Sequence, residues 1–146
     1  MKEFTPYLNF DGNTKEVMTY YHGIIGGDLS IMTFGDVDPK ASVEMKDRVM
    51  HARITNGTTV LMASDSQPQM RIFVGNNFWL NLTCESDAEV QKLYDALSAG
   101  GKRIMPPADQ FWGAHFAMCA DKYGMNWMLN HEKGTPDGSA EMSSSA

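Results

Sequence analysis

Cysteine is scarce in this chain. Only Cys84 and Cys119 occur, each inside an apolar segment, which reads as two reduced, buried thiols more readily than as a disulfide framework. Long apolar runs are absent too: Asn, Gly and Ser interrupt every stretch well before the roughly 18 apolar residues of a membrane span, which excludes a helical membrane protein. There is no cluster of Lys or Arg, and the net charge is -6, so nothing stands ready to release counterions from a phosphate backbone and a nucleic-acid partner is not expected. The first 30 residues carry Lys2, Glu3, Asp11, Lys15, Glu16 and Asp28 rather than an apolar secretion core, so the expected location is the cytoplasm.

What is present is an ordinary globular composition, 42% hydrophobic and 21% charged over 146 residues, enough chain to bury a core without staples. One domain is expected over residues 1–133. The Gly/Ser/Pro-rich stretch 134–146 has no apolar period and reads as a disordered tail.

Two stretches repeat each other. "NFDGNTKEVMTYYHGIIGG" from Asn9 and "NLTCESDAEVQKLYDALSAGG" from Asn81 align at an offset of 73, Glu16 with Glu89, Val17 with Val90, Tyr21 with Tyr94 and Gly27 with Gly100. Each copy has the marks of a helix. Asn13 with Glu16, and Ser86 with Glu89, have the spacing of a capping box. Val17, Tyr20, Tyr21 and Ile24, like Val90, Leu93, Tyr94 and Leu97, recur at three and four residues and form one apolar face. Gly26-Gly27 and Gly100-Gly101 end them.

The remaining apolar segments read as strands. "VMHARIT" and "TTVLMAS" meet at Asn56-Gly57, two residues that tolerate positive φ, and "AHFAMCAD" and "GMNWMLN" meet at Lys122-Tyr123-Gly124. The order is β-α-β-β-β, twice, over about 4–64 and 76–132. Breaker clusters at 35–47, 64–75 and 105–110, the last with Pro106-Pro107, read as loops or lids.

Taken together, "YLNFDGN", "MHARITNGTTVLMASD", "NFWLNLTCES" and "FWGAHFAMCADKYGMNWMLN" resemble the PhnB-like branch of the vicinal oxygen chelate superfamily, which also holds glyoxalase I, bleomycin and fosfomycin resistance proteins and extradiol dioxygenases. The resemblance covers about residues 4–132. It implies an α+β fold of the glyoxalase/bleomycin-resistance/dihydroxybiphenyl dioxygenase type, in which two βαβββ modules curl mixed sheets around a cup that homodimerisation completes.

Enzymes of that superfamily hold a divalent metal with His and Glu at four strand positions. Aligned on the resemblance, those positions carry Thr5, Met62, Trp79 and Met128 here. A thioether suits copper(I) rather than zinc, nickel or iron, and an indole is no ligand, so no metal and no other cofactor is expected. Some members of the branch have carried a methyltransferase label, but no G-x-G-x-G loop for S-adenosylmethionine occurs.

Strand alternation sorts side chains into a face toward the helices and a face toward the cup. Phe78, Leu80, Leu82 and Cys84 form one apolar row, leaving Trp79 and Asn81 opposite; Met50, Ala52 and Ile54 are expected on the helix side, leaving Val49, His51, Arg53 and Thr55 toward the cup. Tyr7, Asn9, Met62, Ser64, Met128 and Asn130 join the cup. Such a mixture of aromatic, thioether and polar groups makes a small-molecule pocket, or fills the barrel, or meets a second subunit. His51 can exchange a proton near neutrality and is the candidate catalytic residue; the alternative is a hydrogen-bonded structural histidine beside Arg53. Trp112-Gly113 reads either as a rim anchor of the pocket or as a core plug. His115 has no settled direction, a Cys119–His115 nucleophilic pair fails because the two would stand about 13 Å apart on a strand, and Asp121 reads as a turn residue.

The expected function is metal-free binding of a small molecule by Tyr7, Asn9, His51, Arg53, Met62, Trp79, Asn81, Trp112 and Met128 in a homodimer, without nucleic acid or membrane. The alternative is a lyase or isomerase, either with a metal on unrecognised ligands or by acid–base chemistry at His51.

Overall fold

A computed structural model describes residues 1–134, so the tail expected over 134–146 lies, from 135 on, outside the described residues. The chain divides into two compact units, Met1–Phe73 and a second beginning at Val74.

The first unit is built from β1 (Tyr7–Phe10), α1 (Thr14–Ile25), β2 (Asp28–Thr33), the short α2 (Phe34–Val37), β3 (Val49–Asn56) and β4 (Thr59–Asp65). Its sheet runs β1-β4-β3-β2, parallel between β1 and β4 and antiparallel elsewhere. The second unit repeats the plan with β5 (Leu80–Thr83), α3 (Asp87–Ser98), β6 (Lys102–Asp109), β7 (Ala114–Ala120) and β8 (Asn126–Glu132), in the order β5-β8-β7-β6. Both sheets are four-stranded and mixed, with one long helix apiece, and the βαβββ duplication read from the sequence is what the chain adopts.

The core of each unit lies between helix and sheet. In the first, Val17, Met18 and Tyr21 of α1 are wholly buried against Leu8, Ala52, Ile54 and Ala63; in the second, Val90, Tyr94 and Leu97 of α3 meet Ala117, Cys119, Trp127 and Leu129. Each large apolar side chain removed from water this way stabilises the fold by about 1.5–3 kcal/mol. Alternation is therefore strict along β1 and holds from Trp127 to Asn130 in β8, because one face is dry.

Several local expectations are corrected. Asn13 makes no side-chain cap; α1 is started instead by Asp65, whose Oδ1 accepts from the Thr14 amide at 3.1 Å, the Thr14 hydroxyl at 2.7 Å and the Gly12 amide at 2.9 Å. A carboxylate from a distant strand outcompetes the local asparagine because its charge-assisted bonds are buried. In α3 the Ser86 hydroxyl does accept from the Glu89 amide at 3.0 Å, while the Glu89 carboxylate reaches past it to the Glu85 amide. At the β3–β4 turn only Gly57 has positive φ, and Asn56 instead donates its side-chain amide to the Ile25 carbonyl at the end of α1, at 2.8 Å.

The expected loop at 35–47 begins with α2, held by a capping box in which Asp36 and Thr33 bond each other's amides. The expected loop at 105–110 is strand, since β6 runs through Pro106-Pro107 with register shifts on either side of Met105. A sheet edge tolerates proline where a central strand would not, and β6 is an edge. Phe78 precedes β5 and is 54% exposed, so it leaves the apolar row to which it was assigned. Val49 is fully buried rather than turned toward the open face, because a bulge between Met32 and Thr33 skips Met50 and resets the alternation of β3.

Two glycines carry the helix-to-strand passages. At Gly27, with φ of +82°, a Cβ would collide with the Thr55 carbonyl oxygen; at Gly101 it would collide with the Ala120 carbonyl oxygen. The structural partner of Gly27 is thus Gly101, one residue off the sequence alignment.

Candidate functional site

The sheet face away from α1 carries most of the residues singled out in the first unit. Register sets Tyr7 beside Met62 and Met62 beside Arg53, with Met32 beside His51. The Tyr7 hydroxyl reaches across β4 to Nδ1 of His51 at 3.2 Å, with ring centroids 5.8 Å apart. Asn9 and Ser64, paired in register, share a hydrogen bond of 3.3 Å donated by the serine hydroxyl. Arg53 is half-buried and donates Nε to the Thr55 hydroxyl at 3.2 Å. Tyr7, Asn9, His51, Arg53, Met62 and Ser64 therefore occupy one face, as alternation requires.

In the second unit Met128 sits between Asn81 and Met118, and Asn130 between Thr83 and Phe116. Met128 thus stands on β8 as Met62 stands on β4. The Asn130 Oδ1 is buried and meets no donor among the described residues. Asn81 turns to its own strand, donating to the Thr83 hydroxyl at 3.5 Å. Trp79 precedes β5 and donates its indole N–H to the Asn76 carbonyl at 3.0 Å. Trp112 lies in a tight turn and meets Phe116 edge-on at 5.7 Å, with the 95% exposed Phe111 edge-on to its other side. The Trp112 ring thus rests on the open-face residue Phe116.

The residues at the four superfamily metal positions, Thr5, Met62, Trp79 and Met128, offer a hydroxyl, two thioethers and an indole. That donor set does not fit a hard or borderline divalent ion.

His115 takes the helix side. It pairs in register with His131, and both reach Asp87, the first residue of α3: His131 Nδ1 at 2.8 Å from Oδ1 and His115 Nδ1 at 3.8 Å from Oδ2. His115 also bonds Asp109 at 2.8 Å. Sequence reasoning missed this group, because Asp87, Asp109, His131 and Lys133 come together only through sheet register. Asp87, Asp109 and His115 could bring three ligand atoms within 4.8 Å of one another. The space between the two carboxylates already holds a cation, Lys133 Nζ, at 2.6 Å from Asp87 and 2.9 Å from Asp109. Lysine hydrogen bonds, then the neighbouring histidines, hold both carboxyls below their ordinary range, and the hydrogen bonds to Asp87 and Asp109 push Lys133 up. The group reads as an electrostatic clasp.

Neither thiol is poised for chemistry. Burial, reinforced by Glu89 at Cys84 and by Asp121 at Cys119, pushes both up to about 11. Asp121 is more than a turn residue. Its Oδ1 accepts from the Tyr123 and Met125 amides at 2.8 and 3.1 Å, and its Oδ2 from the Trp127 indole at 2.8 Å.

None of the helices among the described residues is long and apolar enough to cross a membrane.

Comparison with known proteins agrees with this architecture. The structure of protein PA1353 from Pseudomonas aeruginosa superposes with a TM-score of 0.81 at 38% identity, covering 90% of this chain and 98% of that one. A Bacillus cereus PhnB protein, described as a 3-demethylubiquinone-9 3-methyltransferase, follows at 0.72 and 25%, covering 89% and 99%. Protein YjdN of Escherichia coli is 28% identical over 144 residues, 90% of this chain and 97% of that protein. A glyoxalase/bleomycin resistance protein/dioxygenase family enzyme from Burkholderia phytofirmans, at 16% identity, 87% and 95% coverage and a TM-score of 0.61, shares the fold. The family model described as 3-demethylubiquinone-9 3-methyltransferase matches residues 2–130, and the chain belongs to that PhnB-like family.

Proposed function

We propose that this protein binds a small aromatic or amphipathic molecule without a metal, on the sheet faces that carry Met62 and Met128, and that it does so as a cytoplasmic homodimer. The observation that carries this reading is the replacement of the superfamily's ligand set by Thr5, Met62, Trp79 and Met128. Polarizable thioethers offer an adaptable apolar surface, and polar groups able to orient a bound molecule stand beside them, Tyr7, Asn9, His51 and Arg53 on the face of Met62 and Asn81 on that of Met128. Trp112, resting on Phe116, supplies aromatic area beside the second face.

Thermal-shift screening against aromatic, quinone-like and antibiotic compounds tests it. Binding to the folded state alone raises the melting temperature by mass action, about 2.7 kcal/mol at a hundredfold excess over Kd, and flat responses across the panel would end the proposal. Metal analysis of untagged protein bears on the same point, since stoichiometric zinc, nickel, manganese or iron would overturn it.

One contact favours a second reading. The Tyr7 hydroxyl bonded to Nδ1 of His51 is a pair able to relay a proton, which acid–base catalysis by a lyase or isomerase would use. In that case His51→Ala abolishes turnover, and retained turnover removes the residue from the mechanism. Methyl transfer, which the family's description names, gets little support from a chain without a G-x-G-x-G loop and with mixed βαβββ sheets in place of a doubly wound one.

A further inference from the structure

The four arginines of the chain are not equivalent. Arg48 reaches Asp11 at 2.9 Å, Arg103 reaches Asp95 at 3.5 Å, and Arg71 lies over the Phe73 ring at 5.0 Å. Arg53 alone, in the middle of β3 and half-buried, touches neither a carboxylate nor a ring among the described residues; its one hydrogen bond runs from Nε to the Thr55 hydroxyl. The nearest carboxylate by register is that of Asp28, exposed on the edge strand β2 and paired with Thr55, and it forms no ion pair with Arg53. A guanidinium at the centre of a sheet face, half-desolvated and with its two Nη groups free, meets the first requirement of an anion site.

The surroundings narrow the anion. No lysine shares the face, and one guanidinium fork matches one carboxylate in a bidentate pair, whereas a phosphate dianion would leave charge uncompensated. Met62 lies between Arg53 on β3 and Tyr7 on β1, while the Tyr7 hydroxyl crosses β4 to meet His51, which follows the same face of β3 two residues before Arg53. Two residues along β3, about 7 Å, divide Arg53 from the Tyr7–His51 pair, the reach of a substituted aromatic body.

We propose that the ligand is an organic monocarboxylate with a flat apolar body: the carboxylate on Arg53, the body over Met62, and a second polar oxygen at Tyr7 and His51. This rests on the small-molecule binding proposed above and names its chemical class.

The test is calorimetric titration of the full-length protein with a matched pair, 6-hydroxy-2-naphthoate and its neutral carboxamide. The acid is expected to bind at least tenfold more tightly, a preference that Arg53→Gln abolishes and Arg53→Lys partly restores, with all three proteins melting alike. Arg53→Met serves if the glutamine variant is unstable. Equal affinity for acid and amide, or a preference that survives Arg53→Gln, would overturn the carboxylate assignment while leaving small-molecule binding intact. Binding of neither probe at millimolar concentration would overturn both.

Discussion

Nζ of Lys133 lies 2.6 Å from Oδ2 of Asp87, so an ammonium just beyond β8 is tied to the first residue of α3. The carboxylate also sits where the partial positive charge of a helix start favours it, and Asp109 closes the clasp from the end of β6.

That clasp predicts the shape of the pH–stability curve. Asp87 and Asp109 have carboxyl values lowered on folding, so their contribution is present above the unfolded value near 3.9 and is lost as pH falls through the lower folded value. Lys133 is raised, so its contribution is present below about 10.4 and is lost as pH rises through the higher folded value. Urea midpoints of Lys133→Met and the parent should differ across the neutral range and converge at both extremes. A difference independent of pH would show that the lysine acts through packing alone.

Asp121 is expected to be a strong point of the second unit. Replacing it with Ala leaves two backbone amides and the buried Trp127 indole N–H without their acceptor, a loss of about 3 kcal/mol by equilibrium denaturation. Asp121→Asn should lie between, since one oxygen remains.

Gly27 and Gly57 separate steric from conformational cost. Gly27→Ala combines positive φ with a collision into the Thr55 carbonyl oxygen and should cost about 3 kcal/mol, whereas Gly57→Ala meets open space and should cost only about 1 kcal/mol of left-handed strain. Melting temperatures of the two variants give the comparison.

The thiols should be inert in the native protein. With both at about 11, roughly one part in a thousand is thiolate at pH 8, so an aromatic disulfide reagent should react only on unfolding. Because the folded state holds the protonated thiols, stability should fall as pH rises above the unfolded value near 8.5. Fast labelling of either cysteine in buffer would contradict the burial.

Much of the architecture was legible in the residues. Val17 and Tyr21, like Val90 and Tyr94, announce helix faces through spacing, and the alternation of Tyr7-Leu8-Asn9-Phe10 and of Trp127 to Asn130 assigns sides, because those patterns are local and one face of each element is dry. The absence of imidazole or carboxylate at Thr5, Met62, Trp79 and Met128 is likewise a property of the sequence, once the resemblance supplies the positions. Tertiary structure decided what depends on partners far along the chain: Asp65 rather than Asn13 starting α1, the bulge that buries Val49, and His115 turned to Asp87. It also decided that Lys133 occupies the gap between Asp87 and Asp109 and that Arg53 keeps two nitrogens free. Such choices follow from register and burial, which determine which charge meets which neighbour and are settled only when the strands pair.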